Sequence, residues 1–566
     1  MPRMTGSRLV AEVFKSYGVT HVFFVPTILM DALAEMDSLG VQKILTHGEK
    51  AAVYMADGYA RAKGAPGVCL AQQIGASNLA AGLRDPFMAH TPIIAMTGGP
   101  GTPGRYRHAY QEVEDLSQFD SVTKLNMTLD DLARLPDLLN HMFRAATSGA
   151  PGPVHMRLRG SHGQGIEGEA DLTPIAEAQF GRVPPFRPAP EPERVRAAVE
   201  MLAAAQKPVI VAGGGLVASQ AQAELIELAE KLHIPVATSL SAKGAILDNH
   251  PLSVGVVGTY SRVCANKAVS EADLVFFVGT HAGGQITATW KIPAPGTRVI
   301  QLDIDPEQLG RNYVNAVSLQ GDAKVGLRMM IDAAPKRSGE STRAWTGRVQ
   351  QLVSEWRAAA DAMRNSDAVP MRPERICKEI TAALPDDGVV VSDTGHAGMW
   401  SGQLIDIVRP GQRYIRCEGS LGWGLPGAMG VKCALPDRTV VLFTGDGGLY
   451  YHLPEFETAA RHKINLVVVI NNNSSLNQEI PLVQAAYKEK RDARSGEMWR
   501  FSKDADLARV AEALGCVGWR VETPAQLQEM LPRAFGLNKP VVLDCISDDQ
   551  ALAPTAWVPG GRASAY

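Results

Sequence analysis

Two distant parts of this 566-residue chain carry the same order of structural elements. In both, the pattern predicts a helix, a short loop, a buried strand, a glycine turn, a second helix and a second buried strand. The first copy reads GYARAKGAPGVCLAQQIGASN and then TPIIAMTGG, and the second reads GVKCALPDRTVVLFTGDGG and then INLVVVINNN. Short apolar runs alternating with longer amphipathic stretches are typical of parallel α/β domains. Two related domains in one chain usually form their site between them, so we look for chemistry that both share.

The chain divides into three such blocks. A proline-rich stretch, VPPFRPAPEPE, follows the first block, and a polar, helix-rich segment over about 334–372 separates the second from the third. The fold class that we predict is α/β, with three consecutive doubly wound parallel-sheet domains. Their predicted bounds are 1–182, 194–335 and 370–550, and a tail covers 551–566.

Composition excludes several classes of function. The net charge is −3, and lysine and arginine are scattered through the chain, so we expect no nucleic-acid partner. No segment approaches the ~18 apolar residues of a membrane span, and the amino terminus lacks the apolar core of a signal peptide. We therefore expect a soluble, cytoplasmic protein. The seven cysteines contain no CxxC pair, which argues against a zinc site or a disulfide framework.

The second copy of the repeated pattern has polar residues where two buried strands end. The runs at 439–443 and 466–470 are predicted as neighbouring parallel strands, joined by a crossover helix at 449–461. In a right-handed βαβ unit both strands end at the same edge of the sheet. Asp446 and Asn473, 473 − 446 = 27 residues apart, should therefore lie side by side.

These two side chains suit a metal ion. A carboxylate, an amide oxygen and a nearby main-chain carbonyl form a set of hard oxygen ligands for Mg²⁺. The glycines at 445, 447 and 448 would let a diphosphate approach the main chain beside a helix amino terminus. A glycine turn that merely ends a strand remains the plainer interpretation of GDG taken alone.

With the asparagine pair added, the sequence resembles the thiamine diphosphate (ThDP) enzymes, whose motif is GDG followed some 25 to 30 residues later by NN. The resemblance covers nearly the whole chain and implies a pyrimidine-binding first domain, a middle domain and a diphosphate-binding third domain. It implies that Asp446, Asn473 and the carbonyl of Ser475 bind Mg²⁺. The implied contacts of the diphosphate are the turn glycines Gly445, Gly447 and Gly448.

Two further residues match positions that act on the cofactor in this family. Glu49, in HGEKAA, matches the glutamate that hydrogen-bonds the pyrimidine ring, and we expect an apolar pocket to raise its pKa so that it shares a proton with the ring. Leu421, in EGSLGWGLPGAMG, matches the bulky residue that bends ThDP. Without the resemblance, a glutamate favoured by the helix dipole and a leucine in ordinary core packing explain the same residues.

Other family marks imply further site residues. QIGASN supplies Gly75 and Asn78, and SDTGHAGMW supplies His396, all as cofactor-binding residues. AYQEVED supplies Gln111, which lies with His108 in the region where decarboxylases of the family carry paired histidines. We take both as candidate catalytic residues.

The resemblance indicates the cofactor more closely than it indicates the reaction. The nearest resemblance is to the acetolactate synthase-like group, with pyruvate decarboxylase-like and benzoylformate decarboxylase-like enzymes beside it. The segment SSLNQEIPLVQ departs from acetolactate synthases proper. Glu479 lies six residues after Asn473, where pyruvate decarboxylase-like enzymes hold an acid, so it is a candidate catalytic residue; a solvated helix residue is the alternative.

Three functions compete on this basis. The first is decarboxylation or carboligation of a 2-oxo acid, the second is cleavage of a 1,2-diketone or a 2-hydroxyacyl-CoA, and the third is a non-catalytic ThDP-binding regulator. The resemblance also implies a homodimer or homotetramer with active sites between subunits, acting on a small carbonyl substrate. FAD or ADP in the middle domain stays open, because its glycine-rich turns would permit a nucleotide but the usual arginine-containing stretch is replaced by THAGGQITATW.

Overall fold

The computed structural model describes residues 3–335, 339–488 and 493–562. Within these ranges the chain forms three six-stranded sheets in which all neighbouring strands run parallel. Helices flank each sheet, so the predicted fold class, three consecutive parallel α/β domains, is confirmed. In the described part of the chain, every helix is too short or too polar to span a lipid bilayer.

The amino-terminal part contains the first large sheet. Its strands and helices are β1 Arg3–Thr5, α1 Gly6–Ser16, β2 His21–Phe24, α2 Met30–Ser38, β3 Gln42–Leu45, α3 Glu49–Lys63, β4 Gly67–Ala71, α4 Ala76–Met88, β5 Ile93–Thr97, β6 Leu125–Leu129, α5 Leu135–Thr147, β7 Val154–Leu158 and β8 Glu169–Asp171. β1 and β8 form a small antiparallel pair outside the sheet.

The middle part contains the second sheet and ends in a long helix. Its elements are α6 Pro192–Ala204, β9 Pro208–Ala212, α7 Gly214–Ala218, α8 Gln222–Leu232, β10 Val236–Thr238, β11 Ser253–Val256, α9 Val263–Glu271, β12 Leu274–Val278, β13 Arg298–Asp303, β14 Val317–Gln320, α10 Ala323–Ala333 and α11 Glu340–Arg364. The long helix α11 lies in the segment predicted to be rich in helix.

The carboxyl-terminal part contains the third sheet. Its elements are α12 Pro373–Ala383, β15 Val389–Ser392, α13 His396–Leu404, β16 Arg413–Arg416, α14 Gly424–Ala434, β17 Val440–Gly445, α15 Asp446–Leu449, α16 Glu455–Arg461, β18 Val467–Asn472, α17 Ile480–Ala486, α18 Leu507–Ala513, β19 Val517–Val521, α19 Pro524–Phe535, β20 Val541–Ile546, β21 Trp557–Val558 and β22 Gly561–Arg562. The predicted crossover helix at 449–461 is wrong in its start, because turns separate α15 from α16 and the longer helix begins only at Glu455.

The first and third sheets share one strand order. The first runs β3-β2-β4-β5-β7-β6 and the third β16-β15-β17-β18-β20-β19. When the strands are numbered in chain order within each sheet, both sheets have the order 2-1-3-4-6-5, which explains why the two sequence blocks look alike. The middle sheet runs β11-β10-β9-β12-β13-β14, or 3-2-1-4-5-6, and is therefore a different arrangement.

Two equivalent helices join the first and third domains. α3 and α14 pack against each other so closely that a Cβ on Gly58 would collide with the main chain of Gly427, and one on Gly430 with that of Met55. One continuous apolar core spans both sheets and includes the fully buried Trp423. A fully buried large apolar side chain contributes roughly 1.5–3 kcal/mol, so this junction is a stable contact between the two domains.

Candidate functional site

The carboxyl edge of the third sheet brings together the residues that the sequence predicted as neighbours. β17 and β18 pair in parallel with Gly445 opposite Asn471, so the turns that follow them start side by side. The main-chain N–H of Ser475 donates to Asp446 Oδ2 at 3.0 Å and to Asn473 Oδ1 at 3.1 Å. The two side-chain oxygens therefore converge on one nitrogen atom.

The environment of Asp446 fits a bound cation. Its side chain is only 2% exposed, and burial raises its pKa to about 7 although the main-chain N–H groups of Gly447 and Ser475 oppose the shift. The neighbouring Asp544 carboxylate raises the pKa further. Within the described ranges no lysine or arginine forms an ion pair with Asp446. A buried carboxylate without a cationic partner, next to an amide oxygen and the Ser475 main chain, is a hard-oxygen set suited to Mg²⁺.

The three glycines of the turn have different roles. A Cβ on Gly445 would meet open space, so the main chain there can be approached from outside. A Cβ on Gly447 would press on the Leu476 side chain, and one on Gly448 would press on the Asp393 carboxyl. The open approach needed for a phosphate group therefore lies at Gly445, whereas the other two glycines are required by packing.

The three asparagines at the end of β18 also differ. Asn472 donates to Asp544 Oδ1 at 2.7 Å and accepts the N–H of Ser474, so it holds the strand end to β20. Asn473 faces Asp446 through Ser475. The Oδ1 atom of Asn471 is buried without a hydrogen-bond partner among the described residues. Asn473 thus offers its oxygen beside Asp446.

The neighbouring strand β15 adds two residues to the same edge. The chain reverses its direction of travel across the sheet between β15 and β17, and ligands of open α/β sheets bind outside the carboxyl ends of strands at such a point. Asp393 follows β15 directly, and His396 begins α13. Asp393 and His396 therefore lie at the same crevice as Asp446, which follows β17.

His396 is held as a neutral imidazole of defined tautomer. Its Nδ1 lies 2.7 Å from Oδ1 of Asn477, whose own Nδ2 donates to the carbonyl of Ala551 at 3.0 Å. Because the amide orientation is fixed by that second bond, Nδ1–H of His396 must be the donor, and Nε2 carries the lone pair. Burial lowers the pKa of His396 to about 4, although the bond to Asn477 opposes the shift.

The half-buried Leu421 lies in a loop fixed by Asp393. Oδ1 of Asp393 accepts the N–H of Gly422 at 3.1 Å, and Oδ2 accepts the N–H of Gly424 at 3.1 Å. Burial raises the pKa of Asp393 to about 6. We did not predict Asp393 as a site residue, although its signal was present: a carboxylate ends a buried strand, GVVVSD, in the same sheet as GDG.

Glu49 lies on the first domain, at the amino terminus of α3. Its Oε2 accepts the side-chain N–H of Asn78 at 3.1 Å. Gly75 is the residue that leaves room for it, since a Cβ there would collide with the Glu49 carboxyl. Glu49, Gly75 and Asn78, predicted from separate motifs, therefore form one cluster.

The enclosed apolar pocket predicted around Glu49 is not found in the single chain. Glu49 is half-buried and Asn78 is exposed, because this end of α3 and α4 faces outward from the described residues. Glu49 accepts a hydrogen bond from Asn78 of the first domain, whereas Asp446 accepts one from the Ser475 main chain of the third. The two groups are thus separate half-sites in the single chain.

The three predicted catalytic residues outside these groups lie on turns. Gln111 accepts from Gln72, next to the Glu49 cluster, at 3.0 Å, and His108 is exposed in the same loop. Both have positive φ angles, 63° and 56°. Glu479 ends the turn before α17 and is half-buried. Gln111 therefore lies beside the first half-site, and Glu479 follows Asn473 by six residues along the chain.

The middle sheet has the strand order of dinucleotide-binding domains. At its reversal point, however, the two glycine turns touch: a Cβ on Gly213 would collide with the carbonyl of Gly279, and the N–H of Gly215 bonds that carbonyl at 2.9 Å. Nearby Lys243 and Arg262 are already paired with the Asp248 carboxylate at 3.0 and 2.7 Å. The glycines of these turns therefore serve close main-chain packing, and both cations are already paired within the chain.

Comparison with protein families gives a consistent match in all three domains. The family described as thiamine pyrophosphate enzyme, the same cofactor as ThDP, matches with its N-terminal TPP binding domain at residues 4–119. Its central domain matches residues 195–330, and its C-terminal TPP binding domain matches residues 393–545.

Curated relatives match along nearly their whole length. The chain is 30% identical to a probable acetolactate synthase large subunit of Methanocaldococcus jannaschii, over 99% of this chain and 94% of that protein. It is 30% identical to an acetolactate synthase of Arthrospira platensis, over 96% of this chain and 94% of that protein. It is 28% identical to the acetolactate synthase isozyme 3 large subunit of Escherichia coli K12, over 94% of this chain and 93% of that protein.

Proposed function

The chain belongs to the thiamine diphosphate-dependent enzymes of the acetolactate synthase-like group, and from that premise we propose that it cleaves and forms the carbon–carbon bond beside the carbonyl of a 2-oxo acid, with ThDP and Mg²⁺ as its cofactors. The observation that carries the proposal is the convergence of Asp446 Oδ2 and Asn473 Oδ1 on the N–H of Ser475. That arrangement suits a metal ion that joins a diphosphate to the sheet edge.

The residues of the chain divide the work of binding. Asp446, Asn473 and the Ser475 carbonyl would hold Mg²⁺, and the open main chain at Gly445 would admit the diphosphate. Leu421 would support the cofactor between its two rings. When bound, ThDP supplies the nucleophilic carbon that attacks the substrate carbonyl and stabilises the charge left by bond cleavage.

Other residues would hold or move protons. Glu49 would share a proton with the pyrimidine ring, and Gly75 and Asn78 keep its carboxyl in place. The unprotonated Nε2 of His396 is suited to accept a hydrogen bond or a proton from a group bound at the switch point of the sheet. Glu479 is the candidate acid on the substrate side.

The proposal is tested by supplying purified protein with ThDP and Mg²⁺ and, separately, a panel of 2-oxo acids, 1,2-diketones and 2-hydroxyacyl-CoA thioesters. We expect CO₂ release from at least one 2-oxo acid, and mass spectrometry should identify an aldehyde or a 2-hydroxy ketone as product. Turnover of diketones or thioesters alone would replace the proposed substrate class with the second one. Absence of ThDP-dependent turnover across the panel would contradict the proposal.

We also propose that the active site is shared between subunits of a homodimer or homotetramer. Glu49 and Asp446 belong to separate half-sites in the single chain, and Asn78 is exposed beside Glu49. The neighbouring Ile74 and Tyr110 are large apolar side chains that lie mostly exposed. An apolar surface around an incomplete site is suited to be covered by the third domain of another subunit.

Two inactive variants should therefore complement each other. Co-expression of Glu49→Gln with Asp446→Ala produces hybrid dimers in which one site carries both changes and the other carries neither. Random pairing makes half of the dimers hybrid, so about a quarter of wild-type activity should return. Turnover of the unselected co-expressed mixture measures this quarter, and dimers isolated through two different affinity tags, which are all hybrids, should have about half of wild-type activity.

Each variant expressed alone is the control and should stay inactive. Hybrids that are isolated by both tags but have no activity would contradict the shared site. A protein that is monomeric by light scattering and still catalytically active would contradict it as well. If each chain completed its own site, co-expression of the two variants would restore no activity.

ThDP and Mg²⁺ are the cofactors that we propose, and the closely packed glycine turns and paired cations of the middle domain give no specific support for an added FAD or ADP. The expected cytoplasmic location remains a prediction from the sequence.

A further inference from the structure

Two buried carboxylates hold the loop that carries Leu421, one on each side of it. The Leu421 loop, residues 418–423, connects β16 to α14. Asp393, on the third domain, accepts the N–H groups of Gly422 and Gly424, after Leu421. The second carboxylate binds the part of the loop that precedes Leu421. It belongs to Asp85, on α4 of the first domain of the same chain.

Asp85 binds three consecutive main-chain N–H groups. Its Oδ1 accepts from Glu418 at 3.0 Å, and its Oδ2 accepts from Gly419 at 3.2 Å and from Ser420 at 3.0 Å. The Asp85 side chain is 1% exposed, so water cannot replace these bonds without opening the domain junction. The three donors are the residues directly before Leu421, so Asp85 sets the path of the chain into that residue.

The charge of Asp85 is compensated inside the junction. Burial opposes its ionisation, but Arg61 and the main-chain N–H groups of Glu418 and Ser420 outweigh burial and lower the pKa of Asp85. Nη2 of Arg61 donates to Asp85 at 2.8 Å, and Arg61 also forms a bidentate pair with Asp57, at 2.7 Å for both bonds. Hydrogen bonds to an ionised acceptor are roughly twice as strong as neutral ones.

The helix α4 carries both Asp85, which binds the Leu421 loop, and a residue that binds Glu49 in the other half-site. Asn78, which donates to Glu49, lies in the first turn of α4, and Asp85 lies seven residues later in the same helix. At 1.5 Å per residue the two are about 10 Å apart along the helix axis. One rigid helix of the first domain thus contacts both the Glu49 carboxyl and the Leu421 loop.

We propose that Asp85 is a positioning residue of the reaction, which fixes Leu421 at the height needed to support the cofactor by holding the three preceding main-chain N–H groups. The proposal rests on the proposed function, because it acts through Leu421. It assigns a role in the third domain's site to a residue of the first domain. Neither the GDG motif nor the glutamate motif includes this position.

The first test needs no activity and no cofactor. Hydrogen–deuterium exchange of the wild-type protein should show slow exchange of the amides at 418–420, because the carboxylate that accepts them is buried. In Asp85→Asn, these amides should exchange on the order of tenfold faster, while the amides of Gly422 and Gly424, held by Asp393, should change little. Fast exchange at 418–420 in the wild type would overturn the proposal even if the variant does not fold.

The second test separates positioning from general stability. Asp85→Asn should lower kcat by roughly 10- to 100-fold, because small displacements of positioning groups have effects of that size, and should leave KM and ThDP affinity within about twofold. Asp322→Asn is the matched control, since Asp322 is also buried and binds two main-chain N–H groups, at the start of α10 in the middle domain. It should lower the melting temperature without lowering kcat.

A double-variant cycle tests whether Asp85 acts through Leu421. In a Leu421→Ala background, Asp85→Asn should lower kcat by less than threefold, because the side chain that it positions is already absent. If the effects of the two substitutions on kcat are fully additive, or if kcat is unchanged in Asp85→Asn, the proposal about Asp85 is overturned. The proposed function is not affected by that result as long as the wild type is active. A wild type without ThDP-dependent turnover would instead be a failure of the proposed function, and the exchange result would still be readable.

Discussion

Glu49→Gln should lower kcat by about 100- to 10,000-fold, because the amide can form the hydrogen bond to the pyrimidine ring but cannot share its proton. The variant should still fold and bind ThDP, since Asn78 can bond a side-chain oxygen of glutamine as it bonds Glu49 Oε2. Steady-state turnover and ThDP affinity, measured on the same preparation, give the two quantities.

Glu457→Gln is the matched control for Glu49. It makes the same chemical change at the same junction, where Glu457 pairs with His47 at 2.8 Å, but it touches neither half-site. Its kcat should stay within about twofold of the wild type, as is usual for a half-exposed ion pair. Equal turnover of Glu49→Gln and the wild type would remove Glu49 from the mechanism.

Asp446→Ala should abolish Mg²⁺-dependent binding of ThDP. Loss of a residue that only orients a metal ligand typically lowers metal affinity 10- to 100-fold, so loss of the anionic ligand itself should cost more than about 100-fold. Turnover at ordinary cofactor concentrations should disappear with it. Calorimetric titration of ThDP into the variant, in the presence of Mg²⁺, measures the loss.

The control must remove an equally buried carboxylate elsewhere. Asp322 and Asp446 are both 2% exposed, so Asp322→Ala tests whether loss of any buried aspartate impairs binding through stability alone. It should lower the melting temperature and keep ThDP affinity. Wild-type affinity in Asp446→Ala would mean that GDG is only a glycine turn.

The fold could be predicted because its signals are local. Buried parallel strands appear as continuous apolar runs, such as VVLF before GDG, and two of them in succession fix which strand ends lie together. That is why Asp446 and Asn473 are neighbours as predicted. The helix between them was placed too early, because the residues after GDGG form turns before Glu455 and apolar periodicity does not mark the exact start of a helix.

Parts of the site could not be predicted, because their partners are distant in sequence. Asp85 lies in α4 beyond the end of the QIGASN motif, and its three donors are 333 to 335 residues away. Asn477 fixes the tautomer of His396 across 81 residues. Only the packing of α3 on α14, and of α13 on the turn after Asn473, brings these groups together.

The family motifs identify individual site residues, but they do not predict the environment of each residue. The structure places Glu49 beside Gly75 and Asn78, which came from a separate motif, but the apolar pocket expected around Glu49 requires atoms that this single chain does not provide. In the middle domain, the sequence of the glycine-rich turns would permit a nucleotide. There the contact between Gly213 and Gly279 shows that the glycines serve close main-chain packing.

The central claim is that the edge formed by Asp446, Asn473 and Ser475 binds ThDP through a divalent metal ion. The most direct measurement is one calorimetric titration of ThDP into metal-free wild-type protein, carried out once with Mg²⁺ and once with a chelator. We expect one ThDP bound per chain with Mg²⁺, and an affinity at least about 100-fold weaker with the chelator. Equal affinity in both titrations, or no binding in either, would contradict it.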